Sequence, residues 1–161
     1  MLPRTYDNQN CSIARALEVV GDRWTMLVIR SVFEGVHRFD DLQEALGVAR
    51  NVLTDRLGRL CDEGLLRRVR YQERPDRYEY RMTRKGVGIW PAMMSLLLWG
   101  DQYYADDGAP MIIAHRGCGG ELTPQLTCGT CGVSLGPTDI EPRPGPGATE
   151  QQSIDLSSSP A

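Results

Sequence analysis

Two stretches of this 161-residue chain constrain its fold more than any others. They are Cys11–Gly35, CSIARALEVVGDRWTMLVIRSVFEG, and Asn51–Leu66, NVLTDRLGRLCDEGLL. The first reads as two short apolar helices joined at Gly21-Asp22. The second reads as an amphipathic helix ending at Gly64, and an Arg-rich alternating segment follows it. Three or four short helices and then a basic β-ribbon is the order in which one helix is presented to a DNA major groove and a ribbon to the flanking backbone.

The spacing predicts the individual elements. Ser12–Val20 is a first helix, with Ile13, Ala16, Leu17 and Val20 at helical intervals. Gly21 suits a left-handed C-terminal position, and the Asp22 carboxylate can cap the next helix. That helix runs from Trp24 through Leu27, Val28 and Ser31 to about Glu34. It is apolar around much of its circumference and so belongs at the centre. Arg38–Leu46 is a third helix, with Phe39, Leu42, Ala45 and Leu46 inward and Asp40 and Asp41 at the positive end of its dipole. Gly47-Val48 makes the turn. Asn51–Glu63 is the fourth, burying Leu53, Leu57 and Leu60, with Cys61 in step with them as core.

Leu66–Tyr71 and Arg77–Met82 alternate as strands around a loop at Gln72–Asp76 that contains Pro75-Asp76. Tyr78, Tyr80 and Met82 share one face of the second strand. Thr83 then caps a long helix from about Arg84 to Tyr104, kinked at Pro91. Beyond the kink, Met93, Met94, Leu96, Leu97, Leu98, Trp99, Tyr103 and Tyr104 leave no polar face. An all-round apolar helix needs cover on every side. A second subunit would provide it, and the competing arrangement folds the helix onto its own domain. The fold class is thus mainly α with a small β-wing: a winged helix-turn-helix over residues 1–106. A zinc-ribbon-like module at 107–138 and a disordered tail at 139–161 follow it.

The tail is rich in Pro, Gly and Ser, with Ile140, Ile154 and Leu156 as its large apolar residues. Such a segment buries too little surface to offset the entropy of ordering it. No apolar run is long enough to span a membrane, and the start, MLPRTYDNQN, lacks the apolar core of a signal peptide. A cytoplasmic location is expected, where five cysteines suggest metal or redox chemistry rather than a disulfide framework.

Net charge is −3, but its distribution is uneven. Residues 1–98 carry 16 basic and 13 acidic side chains, and residues 99–161 carry 2 and 8. Within Arg67–Lys85 eight basic residues face only Glu73, Asp76 and Glu79. Phosphate binding depends on that local field rather than on total charge.

Downstream lies His115-Arg116-Gly117-Cys118-Gly119 and then Cys128-Gly129-Thr130-Cys131-Gly132, with nine residues between Cys118 and Cys128. Each half is a ligand-x-x-ligand-Gly knuckle, and Glu121–Thr127 between them reads as a short hairpin. Three thiolates and an imidazole suit tetrahedral zinc, and four protein ligands make the site structural. A Cys118–Cys131 or Cys128–Cys131 disulfide, or free thiols, are the alternatives. An enzyme is not expected. There are only two histidines, no His-Glu-x-x-His, and no Ser-His-Asp set can be assembled around His37.

From Cys11 to Gly100 the chain resembles the HxlR-type winged-helix transcriptional regulators, relatives of the MarR group. The resemblance rests on Cys11 with Ala14-Arg15-Ala16-Leu17, then Gly21-Asp22-Arg23-Trp24-Thr25 and Arg38-Phe39-Asp40-Asp41-Leu42. It continues through Leu53-Thr54-Asp55-Arg56-Leu57, Glu63-Gly64-Leu65, Tyr80-Arg81-Met82-Thr83-Arg84-Lys85-Gly86 and Trp99-Gly100. The resemblance implies a bacterial homodimer binding inverted repeats near promoters. It also implies a sensor role for Cys11, since an N-terminal cysteine responds to oxidants or electrophiles in several members. The C-terminal knuckles resemble small zinc ribbons appended to some such regulators. One departure is Ala49, where the family usually has Ser or Thr before the recognition helix; a lost N-cap costs about 1 kcal/mol.

The expected function is sequence-specific DNA binding by a homodimeric transcriptional regulator on an inverted-repeat operator, with a small-molecule or redox effector. The alternative is a protein-interaction module on the same scaffold without DNA binding. Arg50, Asn51, Thr54, Asp55 and Arg59 are the candidate base-reading residues of the fourth helix. Arg70, Arg74 and Arg77 are the candidate phosphate or minor-groove contacts of the wing. His115, Cys118, Cys128 and Cys131 are the candidate ligands of one structural zinc per chain.

Overall fold

The computed structural model describes residues 5–7 and 9–158. The first four positions, of the start read above as lacking a signal-peptide core, lie outside the described residues. So do residue 8 and positions 159–161 of the tail read as disordered. The chain divides into two units, Met1–Leu96 and Leu97–Ala161, and the division falls inside a helix rather than at residue 106.

In the first unit, α1 spans Ser12–Val20, α2 Thr25–Phe33, α3 Phe39–Leu46 and α4 Arg50–Asp62. An antiparallel hairpin follows, β1 at Leu66–Glu73 and β2 at Asp76–Met82. The core sits around α2. Val28, Ile29 and Val32 pack with Leu42 of α3, with Leu53, Leu57 and Leu60 of α4, and with Leu65 and Leu66, all buried. A fully buried leucine contributes about 1.5–3 kcal/mol, so the α4 stripe is a principal support of the unit.

Several local expectations are corrected. Gly21 is right-handed, at φ −77. Its requirement is proximity, because a Cβ there would lie 2.5 Å from the Leu17 carbonyl oxygen. The left-handed helix end belongs to Gly47, at φ 59. Trp24, not Asp22, stands at the N-cap of α2. The Asp22 side chain instead accepts bonds from α4. On α1 only Ala14 is buried, and Ile13 and Leu17 are 71% and 47% exposed, so its apolar stripe has no cover within the described residues. On α3 only Leu42 is buried; Phe39 and Leu46 are half-buried and Ala45 is exposed. Cys61 is half-buried, and burial raises its thiol pKa.

The long helix expected after Thr83 is two helices. Thr83 caps α5, Arg84–Val87, by accepting from the Gly86 amide at 3.0 Å, while its hydroxyl donates to the Gly64 carbonyl at 2.6 Å. The backbone turns at Gly88-Ile89, and α6 runs Trp90–Tyr104. Pro91 therefore lies in a first turn, where its missing N–H costs nothing, rather than at a kink. Met93 and Met94 are buried, whereas Leu96 is 56% exposed.

The hairpin is longer than the sequence predicts. A two-residue turn at Arg74-Pro75 joins the strands, and the register shifts between Arg70 and Gln72. Leu66, Arg68 and Arg70 pair with Met82, Tyr80 and Tyr78 on one face. A third, single-residue bridge pairs Arg38 with Glu79, and the Tyr80 amide donates to the His37 carbonyl at 2.8 Å. The wing is thereby sewn to the α2–α3 link.

In the second unit, residues 107–138 hold two small hairpins. One bridges Ala114 to Glu121; the other pairs β3, Leu126–Thr127, with β4, Ser134–Leu135. The segment 121–127 is thus the link between two hairpins, not a hairpin itself. The expected tail contains a helix, α7, at Glu150–Ser158. No described helix is long and apolar enough to cross a membrane.

Candidate nucleic-acid interface

Helices α3 and α4, joined at Gly47–Ala49, form the helix-turn-helix, and α4 begins without a side-chain cap at Ala49. The first amides of α4 therefore have no side-chain acceptor at the N-cap. The five candidate readers on α4 are placed differently. Arg50 lies against the Phe39 ring at 4.6 Å and 3.6 Å from an Asp40 carboxylate oxygen. The Thr54 hydroxyl donates back to the Arg50 carbonyl at 2.8 Å. Asp55 accepts from Arg56 at 2.6 Å. Asn51 is exposed on the first turn, and no bond holds its amide among the described residues.

Arg59 is turned the other way. It reaches the Glu18 carbonyl and, at 3.3 Å, the Asp22 carboxylate. Arg56 shares that carboxylate at 3.2 Å. Two guanidiniums of α4 thus converge on the joint between α1 and α2. Glu18 in turn accepts from the Tyr6 amide at 2.6 Å and from Arg15 at 2.8 Å. No local pattern signals this contact, since Asp22 lies 37 residues from Arg59. Asp22→Ala should cost about 1–2 kcal/mol, the value of charge-assisted bonds discounted for the screening of a partly exposed carboxylate. Urea melts with Asp22→Asn alongside would check this, because both variants remove the charge.

On the wing, Arg70 is tied to Asp76 at 2.5 Å and to the Glu73 carbonyl at 3.4 Å. Arg74 and Arg77, at and beside the turn, are exposed and make no ion pair among the described residues. Arg67, not singled out from the sequence, is likewise exposed without an ion pair among the described residues. Glu79 lies between Arg81, at 2.6 Å, and Arg38, at 3.3 Å. The Arg81 hydrogen bond is the main cause of its lowered pKa. A lowered carboxylate pKa means the link is intact above the ordinary range and lost only as pH falls through the lowered value. Arg38 also covers the Tyr71 ring at 4.6 Å, and Arg68 covers Tyr78 at 5.4 Å.

Cys11 is exposed at the N-cap of α1. Arg15, one turn into α1, is engaged by Glu18 at 2.8 Å. In the second unit the His115 Nδ1 lies 3.3 Å from Cys118 Sγ. The amides of Cys131 and then Thr130 point at Cys128 and hold its thiol below the ordinary pKa. The structure brings these residues together as two pairs. Among the described residues no three His, Cys, Asp or Glu side chains gather into one metal-sized group.

A helix-turn-helix with a basic hairpin wing is the architecture of a transcription regulator. The family model for HxlR-like helix-turn-helix proteins matches residues 19–107, and the chain belongs to that family. It is 42% identical over 137 residues to uncharacterised HTH-type transcriptional regulators of Mycobacterium bovis and Mycobacterium tuberculosis, covering 84% of this chain and 87% of each relative. Among solved structures, the candidate transcription factor PA1607 aligns at a TM-score of 0.75 and 34% identity, over 84% of this chain and 95% of that one. The reduced form of the transcriptional regulator YodB from Bacillus subtilis aligns at 0.52 and 25%, over 62% and 99%. These relatives are named as transcription regulators or transcription factors.

Proposed function

We propose that the chain is a homodimeric, sequence-specific DNA-binding regulator that sets α4 into the major groove of each half of an inverted repeat. The observation that carries this is the division of labour among the arginines. Arg56, Arg59 and Arg70 are occupied by partners within the chain, while Arg74 and Arg77 at the wing turn are not. Asn51 is open beside them in function, because Asn pairs bidentately with adenine N6 and N7. The uncapped amides of α4 suit a backbone phosphate. Such work on chromosomal DNA places the protein in the cytoplasm.

Dimerisation is supported by two uncovered apolar surfaces, one on α1 and one on α6. Ile13 and Leu17 lie one turn apart on α1, and Leu96, Trp99, Tyr103 and Tyr104 are exposed on α6. Two-fold symmetry would then put the half-sites one helical turn apart, about 34–36 Å, and a change in that separation would regulate binding. Cys11, exposed beside the Ile13–Leu17 stripe, is placed to report an oxidant or electrophile to that interface.

The wing is tested by Arg74→Ala with Arg77→Ala. The double variant should weaken binding to all sequences alike and reduce the slope of log K against log salt by about 2, one per lost phosphate contact. Fluorescence anisotropy across a salt series reads both. An unchanged slope would remove the wing from the interface, and a flat response in the unaltered chain would favour the protein-interaction reading.

A further inference from the structure

The two hairpins of the second unit are built on one plan. In the first, the His115 amide donates to the Gly120 carbonyl at 2.8 Å and the Gly119 amide to the His115 carbonyl at 2.8 Å. In the second, the Cys128 amide donates to the Val133 carbonyl at 2.9 Å and the Gly132 amide to the Cys128 carbonyl at 2.9 Å. The offsets along the chain are the same. Gly119 and Gly132, which follow the second ligand in each half, adopt φ +73 and +72. Only a residue tolerant of the left-handed region closes such a turn without strain.

The chain also passes close to one candidate ligand: a Cβ at Gly117 would lie 2.9 Å from the His115 ring. The hairpins have little else to hold them. Their strands are two residues long or a single bridge, and most of residues 107–138 are exposed. A unit with so little core needs a staple.

We infer that this staple is one zinc ion per chain, taken by His115 and Cys118 from one hairpin and by Cys128 and Cys131 from the other. The ion joins what the chain alone leaves as two pairs. Three thiols lose their protons to solvent on coordination and the imidazole binds neutral, so loading releases protons and folds the module together. A borderline divalent ion of tetrahedral preference fits three sulfurs and one nitrogen; magnesium and calcium do not.

The test titrates the reduced, metal-free full chain with cobalt(II) as a spectroscopic probe and then with zinc. Expected are one cobalt per chain, the visible bands of a tetrahedral ion, thiolate charge transfer in the near ultraviolet, and displacement by zinc. Cys118→Ser and Cys131→Ser, one from each hairpin, should each abolish that spectrum while far-ultraviolet circular dichroism keeps the helices of residues 12–104. His115→Cys should retain one tetrahedral ion with stronger charge transfer. Absence of a tetrahedral spectrum would overturn the inference. So would a Cys118→Ser variant with the wild-type spectrum, which would mean an ion held by Cys128 and Cys131 alone.

Discussion

Asn51→Ala should lower affinity for the operator about 10- to 100-fold and leave the unfolding midpoint unchanged. The magnitude is that of one bidentate base contact, about 1–3 kcal/mol, at about 1.4 kcal/mol per tenfold. The reason for choosing Asn51 over its neighbours is structural. Arg50 is held by Phe39 and Asp40, Thr54 bonds its own helix, Asp55 accepts from Arg56, and Arg59 is anchored at Asp22. Asn51 is exposed at the start of α4 with no bond to its amide among the described residues, so removing it costs the fold nothing. Competition assays with single base-pair changes should show preference lost at one position of each half-site. Uniform weakening across all sequences would assign Asn51 to the backbone instead.

Leu57→Ala should have the largest effect on stability, about 2–5 kcal/mol, the sum of lost transfer energy and the cavity left behind. Leu57 is 1% exposed and lies between Leu53 and Leu60 on the face of α4 that meets α2. Against a typical total of about 5–15 kcal/mol, that loss leaves a marginal domain. Denaturant unfolding should show the drop, and DNA binding should fail at temperatures where the parent still binds. A loss below about 1 kcal/mol would mean that α4 is not seated by this stripe. The two substitutions sit six residues apart on one helix and separate its two duties, reading and seating.

The sequence carried the helices well where apolar spacing and function of the face coincide. Leu53, Leu57 and Leu60 are buried as their spacing demands, and Val28, Ile29 and Val32 make α2 the centre. It misled where one apolar stripe has no partner in the same chain. Ile13 and Leu17 have the periodicity of a core face yet stand in solvent, since periodicity reports that a face wants cover and not what covers it. The break between α5 and α6 was missed because Pro91 looks the same in a first turn as at a kink; only Gly88 marked the difference. Arg59 stands among the candidate base contacts because α4 exposes several faces in projection, and its bonds to Glu18 and Asp22 join residues far apart in sequence, which periodicity does not reveal. The basic wing was legible from charge alone. Which of its arginines are free was not, because Asp76 claims Arg70 only once the hairpin closes.

In the proposed function two copies read one duplex through α4 and the wing. The most direct measurement selects DNA fragments bound by the purified full chain and then maps methylation interference on the recovered sites. Two symmetry-related patches of major-groove purines are expected, their centres about 34–36 Å apart or a whole number of turns beyond, with binding that falls steeply as salt rises. No enriched sequence, or interference confined to a single unrepeated patch, would contradict it.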